Sequence, residues 1–109
     1  MSLSEADIAF ATELFSPLPD LTTRRMFGGM GLYSGGVIFA LMRSDGQILL
    51  KARKGEFATR LADMGAEVWA YTRNNGTVST MPYWTLPDAA LDDPELAVTL
   101  GQASLDAQT

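Results

Sequence analysis

The chain has 109 residues, 47% hydrophobic and 19% charged, a composition that buries one modest core and excludes a disordered chain or two separate domains. It contains no cysteine and no histidine, which removes disulfides, thiolate chemistry and the commonest general base and metal ligand. A net charge of −5 argues against a free-standing nucleic-acid binder, because phosphate neutralisation needs a cationic footprint.

Ser4, followed by Glu5 and Asp7, predicts a helix start, and Leu3, Ile8, Phe10, Ala11, Leu14 and Phe15 recur at helical spacing as its apolar stripe. Pro17 and Pro19 end that helix. Residues 24–33, 37–42 and 47–52 read as three strands, the last two joined by the turn Ser44-Asp45-Gly46. Glu56 to Met64 reads as a short helix with Phe57, Leu61 and Met64 on one side and Gly65 at its left-handed cap. Residues 67–73 and 77–83 form a second hairpin about Asn75-Gly76. Asp93 before Pro94 starts the last helix, with Leu96, Leu100, Ala103 and Ala107 as its stripe. The expectation is one α+β domain over residues 1–109, with a two-layer, five-stranded antiparallel sheet and helices on one face, in the order α-β-β-β-α-β-β-α.

Charge is unevenly spread along these elements. All eight basic residues lie between Arg24 and Arg73, opposed there by Asp45, Glu56, Asp63 and Glu67, while the flanks hold the other nine acids and no base. Such a distribution allows a weakly basic face on an acidic body.

The stretch MFGGMGLYSGG, residues 26–36, has five glycines in eleven residues and invites a phosphate-loop reading. A Walker loop needs Lys-Ser/Thr after its second glycine, and Val37-Ile38 stand there instead. The dinucleotide fingerprint needs a third glycine where Ser34 stands, and a helix where a strand follows. Glycines of a bent or closely packed strand fit better, with Gly35-Gly36 supplying a tight hairpin turn. Other catalytic patterns are also missing: no motif surrounds Lys51 or Lys54 as a base for a hydroxyl nucleophile. Asp92, Asp93 and Glu95 read as a capped helix start, without the spaced loop of a hard-cation site. Tyr83 and Trp84, in MPYWTLP, sit at a strand end, where aromatics serve the core margin or a partner surface.

RRMFGGMGLYSGGVIFALM, then GQILLKA, MPYWTLP and LDDPEL, resemble in this arrangement the N-terminal domain of the TfoX/Sxy family of competence regulators. The likeness runs from about Phe10 to Ala107, and its most specific part is Arg25-Met26-Phe27-Gly28-Gly29 with Gly31, Tyr33, Gly36 and Leu50-Lys51. It implies a two-layer fold similar to type III secretion chaperones, in the element order above, and brings no catalytic activity or cofactor. Founding members of the family activate transcription with the cyclic AMP receptor protein and carry a second, C-terminal domain. The chain is thus expected to be a stand-alone N-terminal domain, non-enzymatic and regulatory, working through protein contacts.

Candidate interaction residues are Arg24, Arg25, Phe27, Gly28, Gly29, Gly31, Tyr33, Lys51, Tyr83 and Trp84, with no catalytic, cofactor or metal residue expected. The alternative is a small anionic-ligand domain or enzyme using Arg24, Arg25 and Lys51. A protein partner is expected, and direct nucleic-acid binding is not. The longest apolar run, GGVIFALM, is far short of the roughly 18 residues of a membrane span, so a cytoplasmic protein is expected. Residues 37–42 and 48–50 do not alternate apolar with polar, so both sheet faces need cover. A second copy in a homodimer, or the Pro- and Leu-rich loop 16–23, would supply it.

Overall fold

The computed structural model describes residues 3–26, 28–53 and 55–108, which run as α1 (Glu5–Leu14), β1 (Leu21–Met26), β2 (Gly29–Ser34), β3 (Val37–Met42), β4 (Ile48–Lys51), α2 (Glu56–Asp63), β5 (Val68–Thr72), β6 (Val78–Thr85), α3 (Asp88–Leu91) and α4 (Pro94–Asp106). Local chemistry sets their ends. Ser4 Oγ accepts from the Asp7 N–H at 3.1 Å while the Asp7 carboxylate accepts from the Ser4 N–H, a reciprocal box over two otherwise orphaned donors. The Asp93 carboxylate accepts from the Leu96 N–H at 3.2 Å just before Pro94, so it is engaged in capping α4.

The strands form one antiparallel sheet in the order β1-β2-β3-β4-β6-β5. Both expected hairpins are present: Ala40 lies opposite Leu50 across the turn at Gly46, and Tyr71 opposite Ser79 across the turn at Gly76. The single strand expected over 24–33 is two strands, so the sheet has six strands and not five. Gly28, at φ +76°, lies between them where the chain reverses, and Met26 pairs with Gly29 and Leu21 with Ser34. A reversal that tight leaves the apolar pattern on both sides intact, so periodicity reads it as a bend. The first strand begins earlier than expected, at Leu21, and takes in β-branched Thr22 and Thr23, and the short α3 after Pro87 is an addition to the expected elements.

All four helices bury side chains in one core on one face of the sheet. Ala11, Leu14 and Phe15 meet Ala58, Leu61, Ala90, Ala97 and Leu100 there, over Leu32, Phe39, Met42 and Leu50. Phe15 and Phe39 touch edge to face, with ring centroids 5.2 Å apart. Phe10 belongs to the expected stripe of α1 but is 45% exposed. In α4 the buried side is Ala97, Leu100, Gly101 and Ser104, rotated from the expected Leu96-Leu100-Ala103-Ala107 stripe. Small residues win because α4 lies close against the first helix's end: a β-carbon on Gly101 would stand 3.1 Å from Leu18 and 3.4 Å from Phe15. Leu18 is thus buried in the helix-side core, so loop 16–23 does not cross the other face.

Candidate functional site

The face without helices carries its own small cluster. Leu41, Leu49 and Tyr83 are buried there beneath Trp69 and Met81, and among the described residues no helical one joins the group. Strand alternation adds to this face Arg24 and Gly31, which pair across β1 and β2, Tyr33 two residues on, and Lys51, which pairs with Tyr83. Met26 of one edge strand and Trp69 of the other line a cavity of about 240 Å³ at the sheet end that carries the β3–β4 turn, together with Gly29, Leu41, Arg43, Ser44 and Asp45 and with Met30 and Met42 of the helix-side core. The result is a concave face with an apolar floor.

Two register breaks aim the side chains. A bulge between Leu32 and Tyr33 gives β3 an extra residue, Phe39, which faces the helices next to Ala40 and so leaves Ile38 opposite Tyr33 on the open side, where Leu41 also points by ordinary alternation between Ala40 and Met42. A register break between Val68 and Ala70 leaves Trp69 unpaired, and alternation sets it on the open side while Val68 stays opposite Trp84. The glycines make room. A β-carbon on Gly31 would stand 3.1 Å from the tips of Met26 and Tyr33 and 3.3 Å from Ile38, all of which lean over it. A β-carbon on Gly29 would collide with the backbone carbonyl of Met42, so close strand approach, and no phosphate, accounts for this glycine.

Cations rim the concave face. The Arg24 guanidinium stands 5.6 Å from the Tyr33 ring centroid, and that of Arg43 5.8 Å from the Trp69 centroid. Arg43 also pairs with Asp45 at 3.0 Å. The Gln47 N–H, donating at 3.0 Å, and then Arg43 hold the Asp45 carboxyl below its ordinary range. Burial pushes the Tyr83 phenol above its ordinary value, with Tyr33 adding to the shift and Arg53 opposing it.

Charge divides between the layers. Among the described residues, the helices and their caps hold ten carboxylates (Glu5, Asp7, Glu13, Glu56, Asp63, Asp88, Asp92, Asp93, Glu95 and Asp106) against Arg60 alone. The strands and their connections hold Arg24, Arg25, Arg43, Lys51, Arg53 and Arg73 against Asp20, Asp45 and Glu67. The sequence-level asymmetry is therefore an asymmetry of layers. Also among the described residues, no group of three or more carboxylates is gathered to hold a metal ion, and no helix is long and apolar enough to cross a membrane.

Of the residues expected at a site, the structure brings together Arg24, Gly31, Tyr33, Lys51 and Tyr83 on the concave face. Arg25 pairs with Met30 and so alternates to the opposite side, and Trp84 packs on the helix-side core. Gly28 and Gly29 shape the turn and the strand contact, and Phe27 lies outside the described residues, as does Lys54. Tyr83, at 8% exposure, is floor and not a projecting contact. Sequence reasoning missed Trp69, Arg43, Met26 and Asp45, because strand pairing and the β3–β4 turn, and no motif, bring them together.

A model of the TfoX N-terminal domain matches residues 13–108, nearly the whole chain. No curated protein matches it.

Proposed function

The chain belongs to the TfoX N-terminal domain family, and we propose that it is a non-enzymatic regulatory module that acts in transcription control through protein contacts made by the concave sheet face. The observation that carries this reading is the division of the two layers. One face of the sheet is spent on four helices, and the other keeps an apolar floor, a cavity and a cationic rim with no helix over it. That is the anatomy of a contact surface: an apolar centre within a polar margin. Arg24 and Arg25 point to opposite faces, and Arg24 is stacked over Tyr33, so an anion site made jointly by Arg24, Arg25 and Lys51 has no convergent geometry behind it.

The test is a comparison of strains carrying substitutions on either layer, read by transcript profiling. Ile38→Glu and Lys51→Glu on the open face should reproduce the profile of a deletion. Glu13→Lys on the helix layer should leave it as wild type. Open-face variants that fold and regulate normally would end this reading.

A further inference from the structure

We propose that the concave face receives a slender acidic segment of a partner protein, with one large apolar side chain of that segment in the cavity between Met26 and Trp69 and its carboxylates against Arg24 and Lys51. This rests on the reading of the chain as a contact module and adds the chemistry of what it contacts.

Three observations select this occupant. The first is shape. The cavity is lined by Met26 and Trp69 of the two edge strands, so this end of the face is hollow, and a flat or equally hollow surface would leave it unfilled. A single helix or strand with a projecting side chain fills it. The second is chemistry of the hollow. Leu41, Met26 and Trp69 line it, and Arg43 is held at its rim by the Trp69 ring and by Asp45, already neutralised. An aliphatic or aromatic anchor suits such a pocket, where contact energy concentrates. The third is charge. Among the described residues Arg24 and Lys51 have no carboxylate partner, so the face offers two cations without a counter-charge outside the pocket lining, Arg24 two residues along β1 from Met26 and Lys51 on β4 opposite Tyr83. An acidic flank satisfies them and is steered to them from a distance.

A second copy of the chain fits less well. Face to face it would oppose one hollow to another and cations to cations. Its acidic helix layer is the one self-made surface of suitable charge, and the experiment below detects that arrangement.

A random peptide library displayed on phage and selected on the immobilised full chain tests the proposal. The selected peptides should place several Asp or Glu around one Leu, Phe or Trp. With the best selected peptide as the fluorescent probe, Arg24→Glu and Lys51→Glu should each raise Kd about tenfold, the loss of one close charge pair. Lys51→Arg should restore binding, Trp69→Ala should remove it, and Phe10→Ala on the helix layer should leave it unchanged. Both charge reversals lie at side chains outside the buried core, so they report on binding even if Trp69→Ala fails to fold. Neutral or basic selected peptides, no enrichment, or charge reversals that bind as wild type would overturn the proposal. So would light scattering that shows a concentration-dependent oligomer broken by Lys51→Glu, since the occupant would then be another copy. If the open-face strains lose regulation while the selected peptides are not acidic, only the acidic segment is wrong. If those strains regulate normally, the underlying reading fails as well.

Discussion

The hydroxyl of Ser104, fully buried in α4, lies 2.6 Å from the carbonyl oxygen of Lys51, whose side chain stands on the opposite, concave face. The same hydroxyl is 3.1 Å from the Phe39 carbonyl, and its one proton serves either acceptor. A single polar atom in the helix layer thus fixes β3 and β4 at the point where β4 presents Lys51 outward.

Ser104→Ala removes this donor and leaves buried carbonyls short of a partner. The expected cost is about 1–3 kcal/mol, the range for a buried polar group left unsatisfied. For a domain of this size that is a fall in Tm of about 4–8 °C per kcal/mol. Differential scanning calorimetry reads it directly, and an unchanged Tm would show that the hydroxyl is not what holds α4 to the sheet.

Gly29→Val sets a side chain against the Met42 carbonyl, a backbone atom that cannot rotate away. Its cost should be about 3 kcal/mol, the upper part of the range for overpacking. Gly31→Ala meets only side-chain tips, which can shift, and should cost about 1 kcal/mol. Urea titration of the two variants ranks them, and equal midpoints would refute the assignment of Gly29 to strand contact. ATP should leave the Tm of the wild type where it is, and a nucleotide-dependent rise would revive the phosphate-loop reading.

Tyr83 supplies a pH dependence of defined sign. Its folded-state phenol ionises above its ordinary value because burial disfavours the anion. The folded chain therefore holds this proton more tightly than the unfolded chain does. The contribution to stability is whole below the unfolded value of about 10 and is lost as pH rises through the folded value above it. Ultraviolet titration of tyrosinate should show one late-ionising tyrosine that disappears in Tyr83→Phe. Three tyrosines ionising together would contradict the burial of that ring.

The fold was largely legible in the sequence where turn chemistry is local. Asn75-Gly76, Ser44-Asp45-Gly46, Ser4 with Asp7, and Asp93-Pro94 each set an element end by contacts within four residues, and each lies where it was expected. Features that depend on distant strands were not legible. The reversal at Gly28 keeps the apolar pattern of one strand, and the buried side of α4 is decided by how close Phe15 and Leu18 come to Gly101. The site followed the same rule. Arg24, Tyr33, Lys51 and Tyr83 were found because they lie in recognisable stretches, yet their common face depends on β4 pairing with β6, across an intervening helix and strand. Trp69 and Met26 lie on opposite edge strands, and only the folded sheet brings their side chains to one cavity.

The most direct test of the concave face as the contact surface is site-specific photocrosslinking in the living cell. A benzophenone side chain replaces Ile38, half-buried beside Gly31 on the open face, or Phe10, 45% exposed on the helix layer. The account predicts that position 38 yields a heterologous adduct whose crosslinked peptide is rich in Asp and Glu, and that position 10 does not. Adducts from position 10 with none from position 38 would contradict it.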